Sequence, residues 1–295
     1  MARLGGPGRV ATLDRPLARA APARGSIEAA LVSDSGVWLP ATRLPLALAR
    51  LHAALVEGGR AGLRWRRLPE AASAHQKARG WARRRDPETG RFGLTCDSER
   101  VRTWLEDAGF DEIEIASAGA RDHFWTLARR AHALPDFVRP GLSVLVCGLN
   151  PSPYSARSGV PFGRPGNRFW PAALRAGLAR SERDPIDALR AGLGFTDLCK
   201  RVTRRASELS AEEYRLGIER LARKLLELRP GVLCFVGLDG WRRAVDRQAR
   251  PGWLPGGFAG RPAYLMPSTS GLNAHADLDS LARHFGRVRR AAARG

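Results

Sequence analysis

Lysine is almost absent from this chain: of its 49 basic residues only Lys77, Lys200 and Lys224 are lysines. With abundant alanine and glycine, that skew looks like the product of a G+C-rich genome. Such a bias explains arginine in place of lysine, but not an excess of cations over anions. Acidic residues are scarce as well, 29 against those 49, leaving a formal net charge of +20. The four cysteines, Cys96, Cys147, Cys199 and Cys234, stand far apart and form no C-x-x-C pair. That spacing argues against a zinc site, an iron–sulfur cluster or a disulfide scaffold. No apolar run approaches the roughly 20 residues that cross a bilayer, so no membrane partner is expected. The opening residues hold no hydrophobic secretion segment, and they share with organellar transit peptides only what any arginine-rich chain would. A soluble cytoplasmic protein is expected.

The charge that is present is unevenly placed. Residues 1–140 carry 23 Lys and Arg against 16 Asp and Glu, whereas residues 141–295 carry 26 against 13. The second part is therefore the better suited to a polyanion such as nucleic acid. A chain of 295 residues makes two modest domains or one large one. A boundary is expected within Ala131–Gly141, where Pro135, Pro140 and Gly141 interrupt every periodicity. Upstream, Ile27–Val32 reads as a strand, Pro45–Leu55 as an amphipathic helix and Ala61–Trp65 as a short strand. The basic stretch from Ala71 to Arg91 has no clear period and reads as a mobile loop. Ser98–Ala108 then reads as a helix stopped by Gly109, with strands near Glu112–Ile115 and Phe124–Ala128.

Downstream, strand and helix patterns alternate, which implies a mostly parallel sheet. Ser210 and Glu213 make a capping box for a helix through Leu228, whose core face is Tyr214, Ile218, Leu221, Leu225 and Leu228. Val232–Val236 reads as a buried strand, Gln248–Pro262 as a Gly/Pro loop and Ala263–Met266 as a further strand. The most informative stretch is Gly148–Trp170, GLNPSPYSARSGVPFGRPGNRFW. Val144, Leu145 and Val146 ahead of it read as a buried parallel strand that Pro151 stops. Asn150 then falls at a carboxyl strand end, where open α/β sheets place ligands. Tyr154, Phe162, Phe169 and Trp170 stand among Arg157, Arg164 and Arg168, rings for stacking and guanidiniums for phosphate.

That stretch, with GFTDLCKRVT (Gly194–Thr203) and MPSTSGLNAH (Met266–His275), resembles the mismatch-specific uracil/thymine-DNA glycosylases of the uracil-DNA glycosylase superfamily. The three blocks fall in the family's order and the likeness spans nearly all of residues 141–289. The resemblance implies an α/β fold with a three-layer, mostly parallel sheet over 141–295. It also implies excision of uracil, most plausibly opposite guanine, from double-stranded DNA, as a monomer associated with the nucleoid and without metal or cofactor. Such an enzyme must flip the base out of the stack and stabilise charge on the departing pyrimidine.

Residue by residue, Asn150 resembles the catalytic Asn that holds the attacking water, and Phe162 the ring on which the base stacks. Gly148, Leu149, Ser152 and Tyr154 would complete the base pocket, with backbone amides of Ser152–Ser155 as donors to the base carbonyls. Asn167 reads equally as a pocket residue or as a helix cap. Ser268, Ser270 and Gly271 suit the flanking phosphates, Leu272 resembles the apolar wedge that fills the vacated stack, and His275 reads either as a phosphate contact or, as a lone His near a helix start more often is, as a cap or surface residue. Two positions depart from the family pattern. Ser152 stands where glycine is common, and Asp197 where an amide or lysine is usual. Asp197 either orients or activates water, or points outward and is neutralised by Lys200 or Arg201. No lysine is placed by these motifs to form a Schiff base.

Residues 1–134 resemble, more loosely, the later half of an S-adenosylmethionine-dependent methyltransferase, through GSIEAALVS from Gly25, LPLALARLHAALVEGGRAGL from Leu44 and LEDAGFDEIEI from Leu105. No G-x-G-x-x-G precedes Gly25, so either the gene begins further upstream or this is a degenerate remnant, and of the two a smaller, Rossmann-type, noncatalytic remnant is expected. A noncatalytic lesion-binding protein and a methyltransferase carried by the first part remain as alternatives.

Overall fold

The computed structural model describes residues 10–12, 23–32, 43–85, 92–117, 122–274 and 276–294. The first nine residues and 13–22 lie outside the described residues. The chain divides into two compact units between Pro135 and Asp136.

In chain order the first unit contains β1 (Val10–Thr12), β2 (Ile27–Val32), α1 (Leu44–Ala54), β3 (Leu55–Arg66), α2 (Ala74–Arg79), β4 (Trp81–Arg85), β5 (Phe92–Cys96), α3 (Ser98–Asp107), β6 (Phe110–Ser117) and β7 (His123–Arg130). Its main sheet has the order β1-β2-β3-β7-β6. The first three strands are parallel, and β7 lies antiparallel between β3 and β6. Helix α1 starts with a proline in its first turn and buries Leu44, Leu48 and Leu51 on one face, the spacing of an amphipathic helix. Asp97 starts α3 by accepting from the Arg100 amide at 2.8 Å. Ile27, Leu63, Trp65, Leu105 and Phe124 join these leucines in one core.

The described part of Ala71–Arg91 is not a loop. It forms α2 and then β4, which pairs antiparallel with β5 as a two-stranded ribbon. Its period is hidden from the sequence because α2 has only six residues and the strand that pairs with β4 lies beyond Arg91.

The second unit contains β8 (Val144–Gly148), α4 (Pro153–Ser158), α5 (Phe169–Arg175), α6 (Pro185–Arg190), β9 (Leu193–Asp197), α7 (Ala211–Leu228), β10 (Val232–Val236), α8 (Leu238–Ala244), β11 (Gly252–Trp253), β12 (Ala263–Met266) and α9 (Leu278–Ala292). The sheet order is β11-β12-β10-β8-β9. Strands β12, β10, β8 and β9 are parallel, and the two-residue β11 is an antiparallel edge inside the expected Gly/Pro loop. Strands β8 and β10 are buried at every position, as central parallel strands are. The Ser210–Glu213 capping box forms and opens α7. On α7, Tyr214, Leu221, Leu225 and Leu228 are buried as expected, while Ile218 is only half-buried. The same helix also buries Gly217 and Lys224. A Cβ at Gly217 would lie 2.6 Å from the Leu198 carbonyl oxygen, so glycine lets α7 close on the segment that follows β9. No described helix is long and apolar enough to cross a membrane.

Candidate functional site

The pairing of β8 with β9 ends at Gly148 opposite Asp197, and the two segments continue side by side beyond it. The Leu198 and Cys199 amides donate to the Gly148 and Leu149 carbonyls, each at 2.9 Å, and the Thr203 amide donates to the Pro151 carbonyl at 3.3 Å. Asn150 sits in this seam. Its Nδ2 donates to the Arg201 carbonyl at 3.1 Å, to Thr203 Oγ1 at 2.8 Å and to the Pro151 carbonyl at 3.3 Å. Carbonyls only accept, so the orientation of the amide is set and Oδ1 is the end left to accept from a water. Thr203 is buried and donates its own proton to the Arg205 carbonyl at 2.9 Å, which turns a lone pair toward Asn150. Beyond closing the GFTDLCKRVT block, Thr203 carries no mark in the sequence of this role.

Gly148 is small for a specific reason. A Cβ there would run into Asp197 Oδ1 and lie 3.2 Å from Phe162 Cζ. The carboxyl of Asp197 and the ring of Phe162 therefore share the end of β8. Although Asp197 keeps part of its surface, its carboxyl is enclosed, and burial pushes it up to about 7. Lys200 and Lys224 pull in the opposite direction, and Asp136 adds to the rise. The outward, neutralised reading of Asp197 does not hold. Lys200 is paired with Asp136, and Arg201 is paired with Glu213 at 2.6 Å.

The partner of Lys200 belongs to a cluster with no sequence signature. Asp136 is buried and receives Lys200 on one carboxylate oxygen and Lys224 on the other. Lys224 also donates to Thr196 Oγ1 at 3.2 Å, beside Asp197. Burial alone would raise the Asp136 carboxyl, but the two ammoniums hold it below its ordinary value. Two lysines on one aspartate leave one positive charge in the interior beneath the strand ends. The ammonium of Lys200 is thus committed and is not presented as a nucleophile.

Phe162 has φ of +54°, a conformation a bulky residue adopts at a cost of about 1–3 kcal/mol and retains mainly at functional sites. It stacks on Phe169 with centroids 4.3 Å apart and planes 9° from parallel. Phe169 is fully buried against Trp170, Phe195 and Phe285. Phe162, half-buried, is the outer ring of that stack. Trp170 anchors the loop by donating to the Pro161 carbonyl at 2.8 Å. Ser152 caps α4, accepting from the Ser155 amide at 3.2 Å, so that amide is already used and cannot serve a base carbonyl. Tyr154 is exposed on α4, and Leu149 is half-buried. Asn167 Oδ1 accepts from the Phe169 amide at 2.9 Å, an Asx turn one residue ahead of Arg168, the N-cap of α5, which has no side-chain cap bond; Nδ2 is left as the end for any ligand.

The Ser268–Asn273 loop lies against the Phe162 loop, since a Cβ on Gly271 would approach the Gly166 carbonyl oxygen at 2.7 Å. Ser268 Oγ accepts from the Ser270 amide at 3.2 Å and Ser270 Oγ from the Leu272 amide at 3.3 Å. Each hydroxyl keeps its proton to donate outward. Leu272 is 83% exposed, unusual for an apolar side chain so firmly placed. Arg168, expected among the phosphate-binding guanidiniums, instead braces this loop. It donates to the Ser270 carbonyl at 2.7 Å, the Asn273 carbonyl at 2.6 Å and the Ala276 carbonyl. His275 lies outside the described residues. Among the described residues no three His, Cys, Asp or Glu side chains gather as a metal ion would require.

Several solved structures resemble parts of the chain. A 1,6-didemethyltoxoflavin N1-methyltransferase from Burkholderia thailandensis matches 40% of this chain and 49% of its own, at 17% identity and a TM-score of 0.31. An S-adenosylmethionine-dependent methyltransferase from Mesorhizobium loti matches 39% and 66%, at 18% identity and a TM-score of 0.31. One from Methanosarcina mazei matches 39% and 64%, at 16% identity and a TM-score of 0.29. The chain spans less than two thirds of the length of each. The profile of the uracil DNA glycosylase superfamily matches residues 135–291. That range takes in Asn150, the Phe162 stack, the Asp136 cluster and the loop bearing Leu272, and this chain belongs to the uracil DNA glycosylase superfamily.

Proposed function

We propose that residues 141–295 are a monofunctional glycosylase that hydrolyses the N-glycosidic bond of uracil in duplex DNA, preferentially opposite guanine. The reading rests on the superfamily match and, above all, on the Asn150 amide, tied through Nδ2 to Arg201, Thr203 and Pro151. A fixed Oδ1 at a strand end is suited to hold a water for attack at the sugar carbon, which positions it without acting as a strong base. Asp197 shares the strand end, and in its ionised form takes a proton as the water attacks. Phe162 offers its free face to the flipped base, Ser268 and Ser270 donate to phosphates, and Leu272 fills the gap left in the stack. A G·U pair is weaker than A·U, so extraction costs less opposite guanine. With Lys200 held by Asp136, the product is an intact abasic site rather than a nicked strand. The sheet would then be the three-layer, mostly parallel one of the superfamily, and residues 1–134 a methyltransferase-like remnant without catalysis.

One observation favours a second reading. A carboxylate at the pocket would repel the pyrimidine anion, and a protein disabled in this way would bind lesions without cleaving them. The two readings separate in one assay, base release from U·G, U·A and single-stranded substrates with alkali to reveal abasic sites and chelator present. The proposal expects release, fastest from U·G. Tight U·G binding with no release from any substrate would establish the lesion binder instead.

A further inference from the structure

The first unit's charge is concentrated in one place. Residues 64–91 hold 9 Lys and Arg against 3 Asp and Glu, while the remainder of residues 1–140 holds 14 against 13. A genomic bias toward arginine would spread cations along the chain, and it does not produce an island of this kind. The described part of the island falls on the end of β3, helix α2 and strand β4 of the β4–β5 ribbon, and its residues 86–91 lie outside the described residues.

The ribbon is rooted rather than loose. Leu94 and Cys96 are buried in the core of the first unit, and Trp81 packs against that core. Gly80 turns α2 into β4 at φ of +71°, where a Cβ would stand 2.7 Å from Asp97 Oδ2 and 2.8 Å from Arg100 Cβ. Only glycine suits that reversal. The Asp97 amide closes it by donating to the Gly80 carbonyl at 2.9 Å. Arg79 lies over the Trp81 ring, 4.0 Å from its centroid, and donates to the Trp81 carbonyl at 2.9 Å. Lys77, Arg83 and Arg85 are exposed. A two-stranded ribbon on its own is marginal in water, and here core packing fixes its base while Lys77, Arg83 and Arg85 stay exposed.

We infer that α2 and the β4–β5 ribbon form a second contact of this protein with DNA, one that grips the phosphate backbone without reading sequence. The chemistry favours DNA over an acidic protein because the second unit belongs to a superfamily that acts on DNA and residues 141–295 carry their own excess, 26 cations against 13 anions. Two cationic surfaces on one chain reinforce each other on a single polyanion through effective concentration. The inference depends on the chain's acting on DNA, not on which base it removes.

The test is the salt dependence of binding to a short undamaged duplex, followed by fluorescence anisotropy with the full chain. Each phosphate contact adds about 0.9 to the slope of log affinity against log salt. The variant with Lys77→Gln, Arg83→Gln and Arg85→Gln should lower the slope by about 2 to 3. The charge-keeping variant with Lys77→Arg, Arg83→Lys and Arg85→Lys should retain the slope, which separates charge from misfolding. A control that loses three exposed arginines elsewhere, Arg102→Gln, Arg223→Gln and Arg247→Gln, should change it by less than about 1. Uracil release at saturating enzyme should be the same in the ribbon variant as in wild type. A ribbon variant whose slope matches wild type, or falls no further than the control, overturns the inference and directs the search to an acidic protein partner. A slope that falls as expected in a chain that releases no uracil supports the ribbon while removing the proposed substrate.

Discussion

The chemistry proposed for this site depends on which end of one amide faces the substrate and on the charge of one carboxyl. Asn150 was legible in the sequence because a glycine–leucine–asparagine–proline run after a buried strand leaves little choice of place. Thr203 was not, because the hydrogen bond that orients Asn150 joins residues 53 positions apart. Asp197 was visible as a departure, but its environment was not, since the lysine next in the chain turns away to Asp136. Its raised value gives a prediction with a definite sign. Below about pH 7 the carboxyl is protonated and cannot take a proton from water. Single-turnover uracil release should therefore rise about tenfold per pH unit up to that point and level off above it. Asp197→Asn should be slower and should lose this limb. A wild-type profile flat between pH 5 and 8 would remove Asp197 from proton transfer. The same shift acts on stability. The folded chain holds a proton that the unfolded chain releases, so this group's contribution is full below the ordinary aspartate value and is lost as pH rises toward 7. Asp197→Asn should thus gain stability relative to wild type at pH 8 and not at pH 3.

Elements are held in position by contacts that no local pattern announces. The Asp136 cluster ties the segment before β8 to the end of β9, to the turn after it and to α7. A lysine on the buried face of α7 reads as a break in the apolar pattern until its partner is known. Asp136→Asn would leave two enclosed ammoniums facing a neutral amide, and removing one partner of a buried pair costs about 3–5 kcal/mol. Denaturant unfolding should show a loss of that order, and a change below about 1 kcal/mol would mean that the cluster is not held as described. Arg168 plays a comparable part for the loop of Leu272. Its guanidinium reads in sequence as a phosphate ligand, yet it is spent on three carbonyls. Arg168→Ala should loosen that loop and slow excision roughly tenfold from paired DNA, with little effect on single strands, where no stack needs filling. Equal loss on both substrates would show that Arg168 supports the pocket rather than the wedge.

At the scale of the molecule, β8, β10 and β12 of the second unit's parallel sheet were legible because they are short and apolar, whereas β9 was not, because Leu193–Asp197 (LGFTD) mixes glycine, threonine and aspartate with its apolar residues. The ribbon was not, because antiparallel pairing needs both strands in view and neither is long. The first unit has three parallel strands followed by an antiparallel pair, which fits the methyltransferase-like layout proposed for it. If that unit is a remnant, titration of the full chain with S-adenosylmethionine should give no binding heat, and a saturable isotherm would restore a methyltransferase role. The central claim concerns the other unit, and one comparison bears on it most directly. Single-turnover release of uracil from a U·G duplex should fall roughly 100- to 1,000-fold in Asn150→Ala, with the affinity for that duplex preserved. Thr203→Val should fall part of the way, because Nδ2 keeps its two carbonyls but loses the hydroxyl. Release by Asn150→Ala at the wild-type rate would contradict the account, in which the fixed Asn150 amide holds the water.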